Sequence, residues 1–165
     1  MKIIKKFKEF INEMFNFSNY ELESITANKI TYKFILNDIV YKVYFNNINE
    51  NNLEHYHLSF CMMDINNNEE YSLLYNTKKS LKVFSNVKNI TENFIKERNI
   101  DLLIFDSLEK EREFLYLEFT KSLVKYFDKY NLKNIDNKRI YILSKKHINY
   151  NIYFNNNLLT KFLKK

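Results

Sequence analysis

The chain contains no glycine and no proline. Glycine is the usual residue where a backbone must take positive φ, and proline the usual fixed point of a turn. At ordinary usage a chain of 165 residues would carry roughly a dozen of the first and eight of the second. Asparagine is the next most tolerant residue at positive φ. Its clusters therefore mark the turns: Asn46-Asn47, the run from Asn49 to Asn52, Asn66 to Asn68, and Asn155 to Asn157. Each is short and flanked by apolar segments, unlike a disordered tract.

Asn, Lys, Ile, Phe and Tyr are in excess, and all five have AT-rich codons, whereas Gly and Pro have GC-rich ones. The composition thus points to an AT-biased genome, such as that of a phage, a parasite or a low-GC bacterium. The net charge of +6 owes much to the same lysine drift, which weakens it as a pointer to nucleic acid. With 45% hydrophobic residues, including 15 Phe and 13 Tyr, the chain can build a core. The length suits a single domain over residues 1–165. No apolar run reaches the roughly 18 residues needed to span a membrane. The first residues, MKIIKKFKEFINEMF, lack a signal-peptide pattern. Cys61, the single cysteine, suits a reducing compartment. The expectation is a cytoplasmic protein, in a host cell or carried in a virion.

Residues 2–16 place Ile3, Ile4, Phe7, Phe10, Ile11, Met14 and Phe15 at helical spacing, with lysines on the other side. This predicts an amphipathic helix docked on a sheet-and-helix core over 25–156. Strands are expected at 29–37, 39–47, 54–64 and 70–76, joined as an antiparallel meander with a tight turn at Asn37-Asp38. The period then changes. Leu81, Phe84, Val87, Lys88, Thr91, Phe94 and Ile95 share one side of a helix from Lys79 or Ser80 to about Arg98, with Ser80 as a candidate N-cap. The apolar run IDLLIFDS, 100–107, reads as a strand buried on both faces. A second long helix is expected from Leu108 to about Tyr130. A hairpin of 138–145 with 148–156 and a short Leu/Lys tail follow. Helices cooperate with a largely antiparallel sheet, so the fold class is α+β, or mixed α/β.

The order β-β-β-α-β-α-β-β after an N-terminal helix resembles the GNAT N-acetyltransferase fold. In that family a strand ends at a glycine-rich loop, and the helix that follows binds the pyrophosphate of acetyl-CoA at its N-terminus. The stretch YNTKKSLKVFSNV, Tyr75 to Val87, stands at that place. REFLY, Arg112 to Tyr116, resembles the family's A-x-x-L-Y motif, whose tyrosine protonates the leaving thiolate. The run LKVFSNVKNITENFI…LLIFDS…REFLY is similar to small GNAT-like proteins encoded by bacteriophages. The resemblance implies Lys78, Lys79 and Ser80 as cofactor-binding residues and Tyr116 as the general acid. The loop departs from the family pattern. No glycine or alanine stands between Asn76 and Val87, so side chains would hold a phosphate away from the backbone.

Other candidates come from the residues alone. His55, His57, Ser59 and Cys61 share one face if 54–64 is a regular strand. At about 3.3 Å per residue Cys61 lies roughly 13 Å from His57, too far for one zinc ion. His55 and His57 would be two ligands at most, and no metal is expected. Cys61, between Phe60 and Met62-Met63, reads as an inert buried thiol, and Asp64 follows it. Asp101 and Asp106 flank the buried strand, with Asp106 at its carboxyl end, where ligands gather in α/β sheets. Lys78, Lys79 and Lys82, and Lys138, Arg139, Lys145 and Lys146, are candidate nucleic-acid contacts, though glutamates interrupt any wide basic face.

Three readings follow. The leading one is a non-enzymatic, phage-type protein on a GNAT-like scaffold, with no cofactor. It would bind another protein, of host or phage, as a virion or assembly component or as an inhibitor of a host system. The first alternative is an acetyl-CoA-dependent N-acetyltransferase; the second is a basic nucleic-acid-binding protein. So many aromatic residues in a small chain also predict self-association.

Overall fold

Asparagine and aspartate hold the positive-φ positions that the missing glycines would otherwise take. Asn37 (φ 49°) and Asp38 (φ 63°) form the tight turn between the strands β2 (Lys29–Leu36) and β3 (Ile39–Asn47). Positive φ at both central residues matches the twist of the hairpin. Asn67, Asn99 and Asp136 also take positive φ. The Asp64 carboxylate shapes the turn at Asn67 by accepting the backbone N–H groups of Asn66 (2.8 Å) and Asn68 (2.7 Å).

The computed structural model describes residues 19–49, 51, 53–71, 77–107, 113–155, 159 and 163. Before β2 comes β1 (Tyr20–Ile25). After β3 come β4 (His55–Met63), the short β5 (Glu69–Glu70), helix α1 (Thr77–Arg98), β6 (Leu102–Ser107), helix α2 (Glu113–Leu123), a 3-10 turn (Val124–Tyr126), the hairpin β7 (Lys129–Ile135) and β8 (Lys138–Ser144), and the short helix α3 (Asn151–Asn155). The expected N-terminal helix 2–16 lies outside the described residues, as do 72–76 of the expected fourth strand.

The strands make one sheet in the order β1-β2-β3-β4-β6-β8-β7, with β5 beside β4. Among the described residues one pair is parallel, β4 with β6; the rest are antiparallel. The fold is α+β, with a large, mostly antiparallel open sheet. None of the described helices is long and apolar enough to cross a membrane.

Helices α1 and α2 cover one face of the sheet. Val83, Phe84, Val87, Ile90, Phe94 and Ile95 of α1, and Leu115, Phe119 and Leu123 of α2, pack against apolar residues of β2, β3, β4, β6 and β8. Each such side chain contributes about 1.5–3 kcal/mol on full burial. The opposite face carries a smaller core of Ile48, Leu102, Ile104, Ile140, Ile142, Tyr153 and Leu159. Strand β6 supplies Leu103 and Phe105 to the first core and Leu102 and Ile104 to the second. It is buried on both faces, as its unbroken apolar run predicts.

Three expectations are corrected. The second helix ends at Leu123, not near Tyr130, and Lys129–Ile135 is a strand. Its apolar positions fit a helical period as far as Phe127, but beyond that β8 offers a free edge and pairs with it from Lys129↔Ser144 to Ile135↔Lys138. The segment 148–156 is not the hairpin partner of β8, because β6 and β7 fill both edges of that strand. Its residues Asn151–Asn155 form α3 instead, which buries Tyr153 on the second face. Ser80 does not cap α1. The helix starts at Thr77, which puts Ser80 inside its first turn, and buried.

Candidate functional site

The parallel ladder between β4 and β6 is short. It runs over His55↔Leu102, Tyr56↔Leu103 and His57↔Ile104 and then stops, although both strands continue. A crevice beyond the carboxyl ends of parallel strands is where open α/β sheets bind ligands. Here the chain's own residues meet at that place. Met62 pairs with Tyr41 of β3 on one side and with Glu70 of β5 on the other. Strand β5 therefore lies on the same edge of β4 as β6, beyond the end of the parallel ladder.

On the helix-covered face aromatic rings cluster at this place. Tyr116, in the middle of α2, stacks near Phe60 of β4 (6.5 Å), Phe105 of β6 (6.5 Å) and Tyr141 of β8 (5.8 Å), and meets Phe84 of α1 edge-on (4.9 Å). Aromatic pairs in these geometries each add about 0.5–1.5 kcal/mol beyond area burial. The expected general acid is thus half-buried among aromatic side chains.

On the other face a polar cluster bridges the same strands. His57 Nε2 donates to Asp106 Oδ1 at 2.9 Å, and Lys138 Nζ lies 3.2 Å from Asp106 Oδ2. Lys138 also donates to the backbone carbonyl of Leu163. All three residues share the face of the second core: Ile104 is two before Asp106, Ile140 is two after Lys138, and His57 is in register with Ile104. Burial would raise the Asp106 pKa. The hydrogen bond and charge of His57, with Lys138, outweigh that and hold it below the usual carboxylate range. At neutral pH Asp106 is therefore a bound anion matched to its own lysine.

Beside this cluster, Tyr44 and Tyr71 both donate to the Glu69 carboxylate at 2.6 Å. The Cys61 thiol contacts the Tyr44 hydroxyl at 3.6 Å. Burial pushes the Cys61 thiol up to about 11, with the Tyr44 contact partly offsetting it, so it is protonated and a poor nucleophile at pH 7. The tie from Tyr44 to Glu69 pins β5 against the sheet.

The other sequence candidates fall apart in space. His55 turns to Tyr153 and Asn49 rather than to the His57 cluster. No group of three or more His, Cys, Asp or Glu able to hold a metal ion occurs among the described residues. Asp64 serves its turn, and Asp101 anchors loops through its backbone, with its N–H to Glu54 and its carbonyl to Lys145. Lys78 and Lys79 lie in the first turn of α1, where Lys79 is half-buried. Two of the basic candidates are neutralised, Lys138 by Asp106 and Arg139 by Glu113. Lys145 donates to the Tyr126 carbonyl at 2.8 Å. A polar cleft of about 470 Å³ lies on the second face between β7 and the loop 146–151, lined by Lys129, Asn131, Lys146 and His147 among others.

The sequence alone did not reveal the roles of Lys138, Tyr44, Glu69 or Tyr153. Asp106, at the end of an apolar strand, and His57, on the histidine-bearing face of β4, carried a signal. Their partners depend on which strands become neighbours, which spacing along one chain does not encode. Comparison of the chain with family models, with curated proteins and with solved structures finds no match.

Proposed function

We propose that this chain is a non-catalytic, protein-binding protein of phage type on a GNAT-like scaffold, a virion or assembly component or an inhibitor of a host system. Support for the scaffold is the element order. A meander is followed by α1, β6, α2 and a closing hairpin, the succession that the family resemblance implies. The observation that supports the non-catalytic reading is the set of contacts the chain makes beyond the β4–β6 ladder. Strand β5 takes the free edge of β4, the Tyr116 ring joins an aromatic stack, and the Asp106 charge is matched by Lys138 and bonded by His57. A general acid needs a reacting atom within hydrogen-bond reach, and the Tyr116 ring is packed among Phe60, Phe84, Phe105 and Tyr141. The first turn of α1 has lysines but no residue without a β-carbon, so a phosphate there would meet side chains before backbone.

Isothermal titration calorimetry with acetyl-CoA tests the reading. The expected result is no saturable heat up to millimolar ligand. Binding at low micromolar affinity would reject it and favour the acetyltransferase alternative, for which Tyr116→Phe would then lower turnover while leaving the fold intact.

A further inference from the structure

The two edge strands of the sheet differ in charge. Strand β1, at one end, carries Glu21 and Glu23 and no base; β7, at the other end, carries Lys129 and Lys133 and no acid. Neither strand has a ladder partner on its outer side among the described residues.

The faces match. Glu21 pairs with Lys33 at 2.8 Å and Glu23 with Lys42 at 2.9 Å, which sets both acids on the face opposite α1 and α2, each with one lysine of its own copy that an incoming lysine would join. Lys129 is in register with Ser144 and Lys133 with Ile140, a residue of the second core, so both bases share that face. Apolar residues mark the first face at both ends. Leu22 (49% exposed) and Ile25 (60%) stand on β1, and Tyr130 (40%) and Leu132 (41%) on β7. In a regular strand Leu22 and Ile25, three apart, would point to opposite faces. The bulge between Leu22 and Ser24 brings them to one face.

Strand direction permits a direct match. From β1 to β7 the sheet has six neighbour pairings, of which only β4–β6 is parallel, so β1 and β7 run in opposite senses. A second copy laid edge to edge with the same face up would set its β7 antiparallel to β1. With Leu22 opposite Leu132, Glu21 falls opposite Lys133 and Glu23 lies diagonal to Lys129, both within cross-strand reach. The incoming acids would meet the basic rim of the cleft that Lys129, Lys146 and His147 line.

We infer that a second copy of this chain is a partner, docking its β1 edge on the β7 edge so that the sheet continues from copy to copy. The contact is head-to-tail and does not close on itself by a two-fold axis, so further copies can add. It does not depend on the protein-binding role proposed above, and acetyl-CoA binding would leave it standing.

Sedimentation velocity of the full chain over a concentration series tests it. The expected result is a weight-average coefficient that rises with concentration and falls with added salt. Glu21→Lys/Glu23→Lys and Lys129→Glu/Lys133→Glu variants should each remain at the monomer value. An equimolar mixture of the two should regain association, because each then offers the charge the other needs. Lys129→Glu alone, a change at an exposed residue, should weaken association about fivefold and serves if a double variant fails to fold. A concentration-independent monomer, or association that survives the charge reversals unchanged, would overturn the inference.

Discussion

Asn99 closes α1 with φ 50°, and its N–H bonds to the carbonyl of Ile95 at 2.9 Å. Glycine usually fills this position because it has no β-carbon to clash. Asn99→Gly should therefore raise stability by a few tenths to about 1 kcal/mol, and Asn99→Val should lower it by about 1–2 kcal/mol. Urea unfolding of the two variants gives both numbers. The Asp106 cluster makes a second residue-scale prediction. Asp106→Asn leaves Lys138 charged, with its side chain only 14% exposed, and should cost about 3 kcal/mol. The pH dependence has two steps. The pKa of His55 is lowered by burial, so its stabilisation is complete above the unfolded value of about 6.5 and declines as pH falls below it. The pKa of Asp106 is also lowered, by its partners against the effect of burial. Its contribution is complete above about 3.9 and is lost as pH falls through the folded-state value. A stability profile from pH 8 to pH 3 should fall in both windows, and Asp106→Asn should shrink the lower step, which the Asp64 carboxyl, lowered by its hydrogen bonds from Asn68, also feeds, while leaving the upper one.

Element α3 is five residues long, too short to be stable by propensity alone. It is held by Tyr153, which is 1% exposed on the second face, accepts a hydrogen bond from Asn49 Nδ2 at 2.7 Å and contacts His55. Tyr153→Ala should cost about 3–4 kcal/mol by thermal unfolding and expose Ile104 and Ile142. Tyr153→Phe, which keeps the ring, should cost about 1 kcal/mol. Nothing in INYNIYFNN warns of α3, since it has the composition of a strand. Its fate was decided by β8, whose two edges were already filled. Strand β1 was silent for a related reason: YELESI is mostly exposed and has too few apolar residues to show a period. By contrast β2, β3, β4, β6 and α1 were legible, because each has a strong apolar pattern of one period and a clear turn residue at its end. The site was less legible. The sequence put His57 on one face and Asp106 at a strand end, but only the β4–β6 register brings them to 2.9 Å.

At the scale of the whole molecule, two packed faces meet at the place where the parallel ladder ends. Rings from α1, α2, β4, β6 and β8 pack on one side of it, and the His57–Asp106–Lys138 cluster with the Glu69 tie stands on the other. The fold keeps the layout of an α+β sheet with a crevice but puts its own side chains there. The proposed function by surface contact rests on that layout, and the unlike charges of the two edge strands would supply one such surface. The most direct measurement is the unfolding free energy with and without acetyl-CoA. A ligand at a hundred times its dissociation constant adds about 2.7 kcal/mol to the stability of the state that binds it. With millimolar acetyl-CoA the stability should stay unchanged; a gain of that size would contradict a crevice filled by the chain itself.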